Sequence, residues 1–415
     1  MRRLRGLAAG ALLAIGASVA VGAEPSDADV AAAHAAAIVI DAHVDLPPEF
    51  ATEKADPGVD GKSQLDLPKL ERGGVDAASL AVFAWQQTRT PEQDAIAVAT
   101  GQQKLAAIRR AVDWYPSRMA LALTPDDVVR LEREGKRAAI VSVLNGTVLG
   151  AKAELLDQYY DSGLRQLGFT HASHNYLADS SRPLAKNGDA EVLWDGLSPL
   201  GRELVPRLNR LGVIIDVSQL SSKALEQVIA LSAAPVIASH SGVRAMINEA
   251  RNLSDDEIKR IARGGGVVHV VAFSAYLKRP PESYYAAVAE LRARAGVPDD
   301  AALARLPDAQ RNAFQGEFFG LMRSLPKASV ADLVDQIEHV VKLVGVDHVG
   351  IGTDFEHGGG VVGFMNEAEA PSVTRELLRR GYDASDIAKI WGGNYLRVWR
   401  EVERVSAAQA RKAAA

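Results

Sequence analysis

Three short runs of this sequence carry side chains suited to hold a divalent cation and move a proton. In Asp41-Ala42-His43-Val44-Asp45 an imidazole and a carboxylate stand two residues apart, hence on the same side of an extended chain. Such a pair is a sound start for a metal site, although a polar turn after a buried strand explains the same motif. Ile237-Ala238-Ser239-His240-Ser241 supplies a second imidazole, and Gly350-Ile351-Gly352-Thr353-Asp354 a second carboxylate. Asp354 is the candidate to accept a proton from an attacking water and pass it to a leaving nitrogen. Capping of the following segment is the competing account.

The other histidines divide by context. His171, in Thr170-His171-Ala172-Ser173-His174-Asn175, opens a loop expected to face the site, and function is favoured for it; His174 is left open. His34, His339 and His348 read as surface or packing residues, and His269, within an apolar run, as a satisfied core histidine. His357 adjoins Gly358-Gly359-Gly360 and reads as part of a mobile loop.

These groups need a scaffold that brings strand ends together. From Ala37 onward, short Val- and Ile-rich runs alternate with amphipathic stretches, as strands buried on both faces alternate with helices. Strands are expected at Ile38–Val44, Ala77–Phe83, Ala138–Val143, Leu164–Phe169, Val213–Val217, Pro235–Ser239, Gly266–Phe273 and His348–Gly352. Helices are expected at Leu200–Leu211, Ser222–Leu231, Asp255–Ala262 and Val330–Val344, with Ser254 and Glu257 forming a capping box. Eight strands in this alternation, with no Gly-rich turn after the first, predict an α/β fold: a closed (β/α)8 TIM-type barrel. The runs 170–197 and 274–328 exceed plain connections and are expected to wall the site.

Composition bounds the remaining choices. With 415 residues, 47% hydrophobic and 24% charged, the chain can bury a large core, and disordered and fibrous classes drop out. A net charge of -5 without like-charge blocks argues against nucleic acid as a partner. No cysteine is present, so any metal must be held by His and carboxylate. Arg2, Arg3 and Arg5, the uncharged run from Gly6 to Ala23 and the ending Val21-Gly22-Ala23 predict a signal peptide over 1–23. The expected organisation is that leader, one barrel domain over 24–405, and an Ala-rich tail over 406–415. An exported, periplasmic protein with no stable membrane span after cleavage follows.

Taken together, IDAHVDLP, FTHASHN, ADSSRP, GLSPLGRELVPRLNRLG, IDVSQLS, PVIASHS, the ARNLSDDEI run, VGIGTDF and IWGGNYLRV resemble the membrane dipeptidases, zinc-dependent barrel hydrolases of the metal-dependent amidohydrolase kind. The resemblance runs from about Ile38 to Trp399. It implies His43 and Asp45 as ligands of a first metal, His240 as ligand of a second, and Asp354 as the proton-transferring acid. It also implies that His171 polarises the scissile carbonyl, that Arg251 holds the substrate carboxylate and that Tyr276 lines the same pocket. A planar guanidinium suits a terminal carboxylate, which it can grip with two parallel bonds.

Two positions depart from that pattern. Leu144 stands where the resemblance expects a bridging glutamate, and Gln219 where it expects a histidine ligand; Gln336 is a third difference, placed on a helix. One divalent metal, zinc by the resemblance, is therefore expected, held by His43, Asp45, His240 and Asp354; a binuclear centre is not. The leading function is a metal-dependent hydrolase of a dipeptide or related small amide with a free carboxylate. The alternative is a non-hydrolytic relative that binds or matures a peptide-derived small molecule. The resemblance leaves room for a homodimer, for which the chain itself shows no interface.

Overall fold

The computed structural model describes residues 24–414 apart from 48, 299–301 and 304. The expected leader, 1–23, lies outside the described residues.

Nine strands form one sheet: β1 Ile40–Asp45, β2 Ala77–Val82, β3 Met119–Leu121, β4 Arg137–Val143, β5 Leu164–Gly168, β6 Ile214–Asp216, β7 Ile237–Ser241, β8 Val267–Val271 and β9 Val349–Gly352. Eight of them run parallel in the order β1-β2-β4-β5-β6-β7-β8-β9, and all eight coincide with the runs expected from the sequence. β3 is additional, pairing β4 off this path. The ring is drawn together where the Asp354 N–H donates to His43 O at 3.0 Å and the Asp45 N–H to Phe355 O at 3.0 Å. The result is a nearly closed α/β barrel of the TIM type.

Composition explains the layering. Every residue of β1, β2 and β7 is buried, as expected of strands covered on both faces. The first residues of several strands, Ile40, Ala77, Ile214, Ile237 and Val267, share one core cluster with Tyr395, Trp399 and Val402. Those three belong to the last helix, Asn394–Ala414, which thereby stops the amino-terminal end of the barrel. The helix continues through most of the segment expected to be a tail, so the Ala-rich end is its exposed last turns. Alanine's high helix propensity accounts for the difference.

The opposite end stays open for side chains. A Cβ on Gly352 would lie 2.0 Å from Ser239 O, so glycine at the end of β9 lets β7 come close and sets Asp354 near His240. The helices Ser222–Leu231 and Val330–Val344 form as expected, and Ser254 and Glu257 make the capping box that starts Asp255–Arg263. Among the described residues, no helix is long and apolar enough to cross a membrane.

Candidate active site

Every expected site residue follows the carboxyl end of a strand or sits within its last turn of chain. His43 and Asp45 close β1, His240 lies in β7 and Asp354 follows β9. All four are buried, between 0% and 6% exposed. His43 Nε2 lies 3.7 Å from Asp45 Oδ2 and 3.7 Å from Asp354 Oδ1. Among the described residues, His43 Nε2, Asp45 Oδ1 and Asp354 Oδ1 have no hydrogen-bond partner, although each is buried. Unpaired polar atoms in a barrel interior are costly, and three convergent ones fit a cation that binds them all. His43, Asp45 and Asp354 indeed offer ligand atoms within 4.8 Å of one another.

His240 belongs to a second grouping, with His43 and Asp216. Its ring stacks on His43 at 3.7 Å between centroids. Asp216 is already satisfied, accepting from the N–H groups of Ser218 and Ser239 and from the Ser239 hydroxyl. Because that hydroxyl has one proton, His240 Nδ1, 2.7 Å away, must donate to it. The His240 Nε2 lone pair then points into the site, where the Gln219 amide donates to it at 3.3 Å. Gln219 Oε1 accepts from Arg182 at 2.7 Å, and Arg182 also donates to the Tyr276 hydroxyl at 3.1 Å. A continuous hydrogen-bonded chain thus fills the place where a histidine ligand was expected. Gln219 and Asp354 both adopt left-handed backbone, φ 66° and 57°, a conformation that costs non-glycine residues energy and concentrates at functional sites.

Leu144 occupies the other altered position. It follows β4, is 1% exposed and packs with Ala81 and Phe83 in a small apolar cluster. It offers no ligand atom where the bridging glutamate was expected, which leaves His43, Asp45 and Asp354 as one grouping of donors that fits a cation.

Burial, only partly offset by His357 and His43, raises the Asp354 pKa. For Asp45 burial is outweighed by the hydrogen bond from His357 and the charges of His357 and His43 nearby, which hold its carboxyl well below the usual range. His171, desolvated and facing the Arg182 and His357 charges, is held well below its ordinary pKa and is neutral. Arg251 is 3% exposed, donates to His240 O and the Ser241 hydroxyl, and lies 5.3 Å from the Tyr276 ring. Gln336 ties the loops bearing these two together, accepting from Val243 N–H and donating to Tyr276 O.

His357 departs from expectation. It lies in the site, donating from Nδ1 to Asp45 Oδ2 at 2.8 Å and stacking on His171 at 5.1 Å. Lys104, on the helix Pro91–Trp114, was hidden in the same way: its Nζ is 3.8 Å from Asp45 Oδ1 and 5.5 Å from the Phe83 ring centre. His174 is a structural residue, accepting from the Ser180 N–H and donating to Ala190 O. His34, His339 and His348 are likewise engaged away from the site, by Thr374 and Gly73 O, by Asp255 and by Gly266 O.

Residues 28–413 match the family described as membrane dipeptidase, peptidase family M19. This chain belongs to the membrane dipeptidase family. Dipeptidase tcpJ of Claviceps purpurea is 28% identical over 365 residues, covering 86% of this chain and 73% of the relative. A structure described as the probable dipeptidase PvdM from Pseudomonas aeruginosa is 41% identical, with a TM-score of 0.87 over 91% of this chain and 98% of its own. A Rhodobacter sphaeroides metallo peptidase, liganded with a phosphinate mimic of the dipeptide L-Ala-D-Ala, shares the fold at 20% identity and a TM-score of 0.68, over 88% of this chain and 99% of that one. Membership in the membrane dipeptidases carries the reaction class, metal-dependent hydrolysis of a dipeptide, and favours it over the non-hydrolytic alternative.

Proposed function

We propose that the barrel mouth hydrolyses a dipeptide or related small amide ending in a free carboxylate, using one divalent cation. The observation that carries this reading is the triplet of buried atoms His43 Nε2, Asp45 Oδ1 and Asp354 Oδ1, none of which has a hydrogen-bond partner among the described residues. A cation held there, zinc for a His and carboxylate donor set, supplies Lewis acidity and lowers the pKa of water it binds.

The side chains provide the rest. Arg251 gives the substrate carboxylate a planar guanidinium, preset by its bonds to His240 O and Ser241. Neutral His171 faces the same space and donates to the carbonyl oxygen as charge builds on it, which an imidazole can do without first losing a proton. Asp354, its pKa raised by burial, takes a proton from the attacking water and returns it to the leaving amine. His357 orients Asp45 by donating to Oδ2, which leaves Oδ1 free of hydrogen bonds within the triplet. Export to the periplasm is part of this reading and rests on the leader sequence 1–23. Pairing into a homodimer would leave the site intact, since these groups come from one chain.

Elemental analysis of the purified protein with dipeptide hydrolysis, in the parent and in Asp354→Asn, tests the reading. The parent should hold about one equivalent of zinc and hydrolyse a dipeptide. General acid–base catalysis contributes roughly 10²–10⁴-fold, so Asp354→Asn should lose at least about 100-fold in kcat. A variant that turns over at the parent rate would remove Asp354 from the chemistry.

A further inference from the structure

Beside the site runs a groove of about 850 Å³ between the end of β2 and the helix Pro91–Trp114, with Leu46, Phe50, Phe83, Trp85 and Ile96 among its walls. Its volume alone falls within the range of a whole ligand pocket, roughly 300–1,000 Å³. Trp85 is 59% exposed and Ile96 57%, which is unusual for two large apolar side chains sharing one groove. The groove is continuous with the site. Trp85 meets His171 edge to face at 5.2 Å and His357 at 4.9 Å, and Phe83 lies 4.8 Å from His171.

Position in the ring gives the groove a direction. Phe83 and Trp85 follow β2, the second strand of the eight, whereas Arg251 follows β7, the sixth. Four strands apart in a ring of eight is diametrically across the mouth. A substrate whose carboxylate meets Arg251 must therefore pass His171 and Asp354 before its other end reaches Trp85. Phe83 is itself backed by buried Leu144 and Ala81, with which it forms one apolar cluster.

We propose that this groove binds the part of the substrate on the amino side of the scissile bond, and that the preferred substrate carries a large apolar or aromatic group there. The inference rests on the reading above that Arg251 takes the carboxylate end. Offset or edge-on aromatic contact with Trp85, added to burial against Phe83, Ile96 and Leu46, provides the recognition.

Tryptophanyl-alanine and glycyl-alanine, and their uncleavable reduced-amide analogues, distinguish this from a small-substrate site. Hydrolysis is read as kcat/KM on the zinc-loaded protein, and analogue affinity by titration calorimetry. The parent should favour the tryptophanyl compound at least about ten-fold in both, since a few buried apolar carbons give ten-fold or more. Trp85→Ala and, on a different wall, Ile96→Asp should each cut that preference several-fold. Equal affinity of the parent for both analogues overturns the proposal, as does a preference that neither variant alters. Loss of hydrolysis of every dipeptide, with the analogue preference intact and sensitive to Trp85→Ala, would refute the hydrolase reading while leaving the groove assignment standing.

Discussion

Restoring the two missing ligand positions separates the parts they play in packing and in metal binding. Leu144 is buried against Ala81 and Phe83, so Leu144→Glu forfeits about 2 kcal/mol of apolar burial. A carboxyl group left there without a partner adds about 1–3 kcal/mol of desolvation. Without metal the variant should therefore be about 4 kcal/mol less stable than the parent. Adding Gln219→His breaks the Gln219 bonds to Arg182 and His240 and offers a third imidazole beside His240. With glutamate, His240 and the new histidine in place, a second zinc becomes bindable. At 100 times its Kd that ion returns about 2.7 kcal/mol. Thermal unfolding with chelator and with excess zinc, alongside elemental analysis, follows both effects. The double variant should go from one to two equivalents and recover most of its stability only with zinc. Two results would refute the reasoning: a Leu144→Glu protein as stable as the parent in chelator, or a double variant that stays at one equivalent and gains nothing from zinc.

Arg251→Lys should raise KM at least about ten-fold with a smaller change in kcat, because an ammonium cannot keep the bonds to His240 O and Ser241 while gripping a carboxylate with two parallel donors; steady-state kinetics on dipeptides reads the split. Burial, only partly relieved by the bond to Ala238 O, pushes His269 down to about 4. As pH falls below about 6.5 the unfolded chain takes up this proton first, so stability is held above that pH and declines until about pH 4. The loss is about 3 kcal/mol, and denaturant titrations of His269→Gln between pH 7 and pH 4 should show a profile flatter by that amount; an unchanged slope would assign the acid sensitivity elsewhere.

The barrel strands were legible because a strand buried on both faces must be apolar almost throughout, and the polar residues that interrupt such runs at their carboxyl ends are those of the site. β3 escaped for the opposite reason: Met119–Leu121 is three residues long and pairs only with the first residues of β4, Arg137 to Ala139. His43, Asp45, His240 and Asp354 announced themselves by position on strands. His357 did not, since three following glycines signal a loop and not which way its histidine turns. A turn with left-handed residues at 354 and 356, which the sequence does not spell out, brings it back to the mouth three residues after Asp354. Lys104 reaches Asp45 from the middle of a 24-residue helix, a long-range contact that no local pattern encodes. Asp216 was visible only as a carboxylate ending an Ile-rich strand, and its work is to fix the tautomer of His240 through Ser239.

The seam between the first and last strands governs when the site comes into being. Asp41 accepts from the Thr353 N–H and hydroxyl, a junction between residues 312 apart in the chain. Closing a loop of that length costs on the order of 5 kcal/mol of chain entropy. Nothing in the first half of the polypeptide repays it until β9 has been made. His43 and Asp45 therefore emerge early in synthesis but face no Asp354 until near the end, and an incomplete chain carries half a cradle that cannot be filled. A cation held by His43, Asp45 and Asp354 would take ligands from both sides of this junction, so it would bind the finished barrel in preference to the unfinished chain and add to its stability.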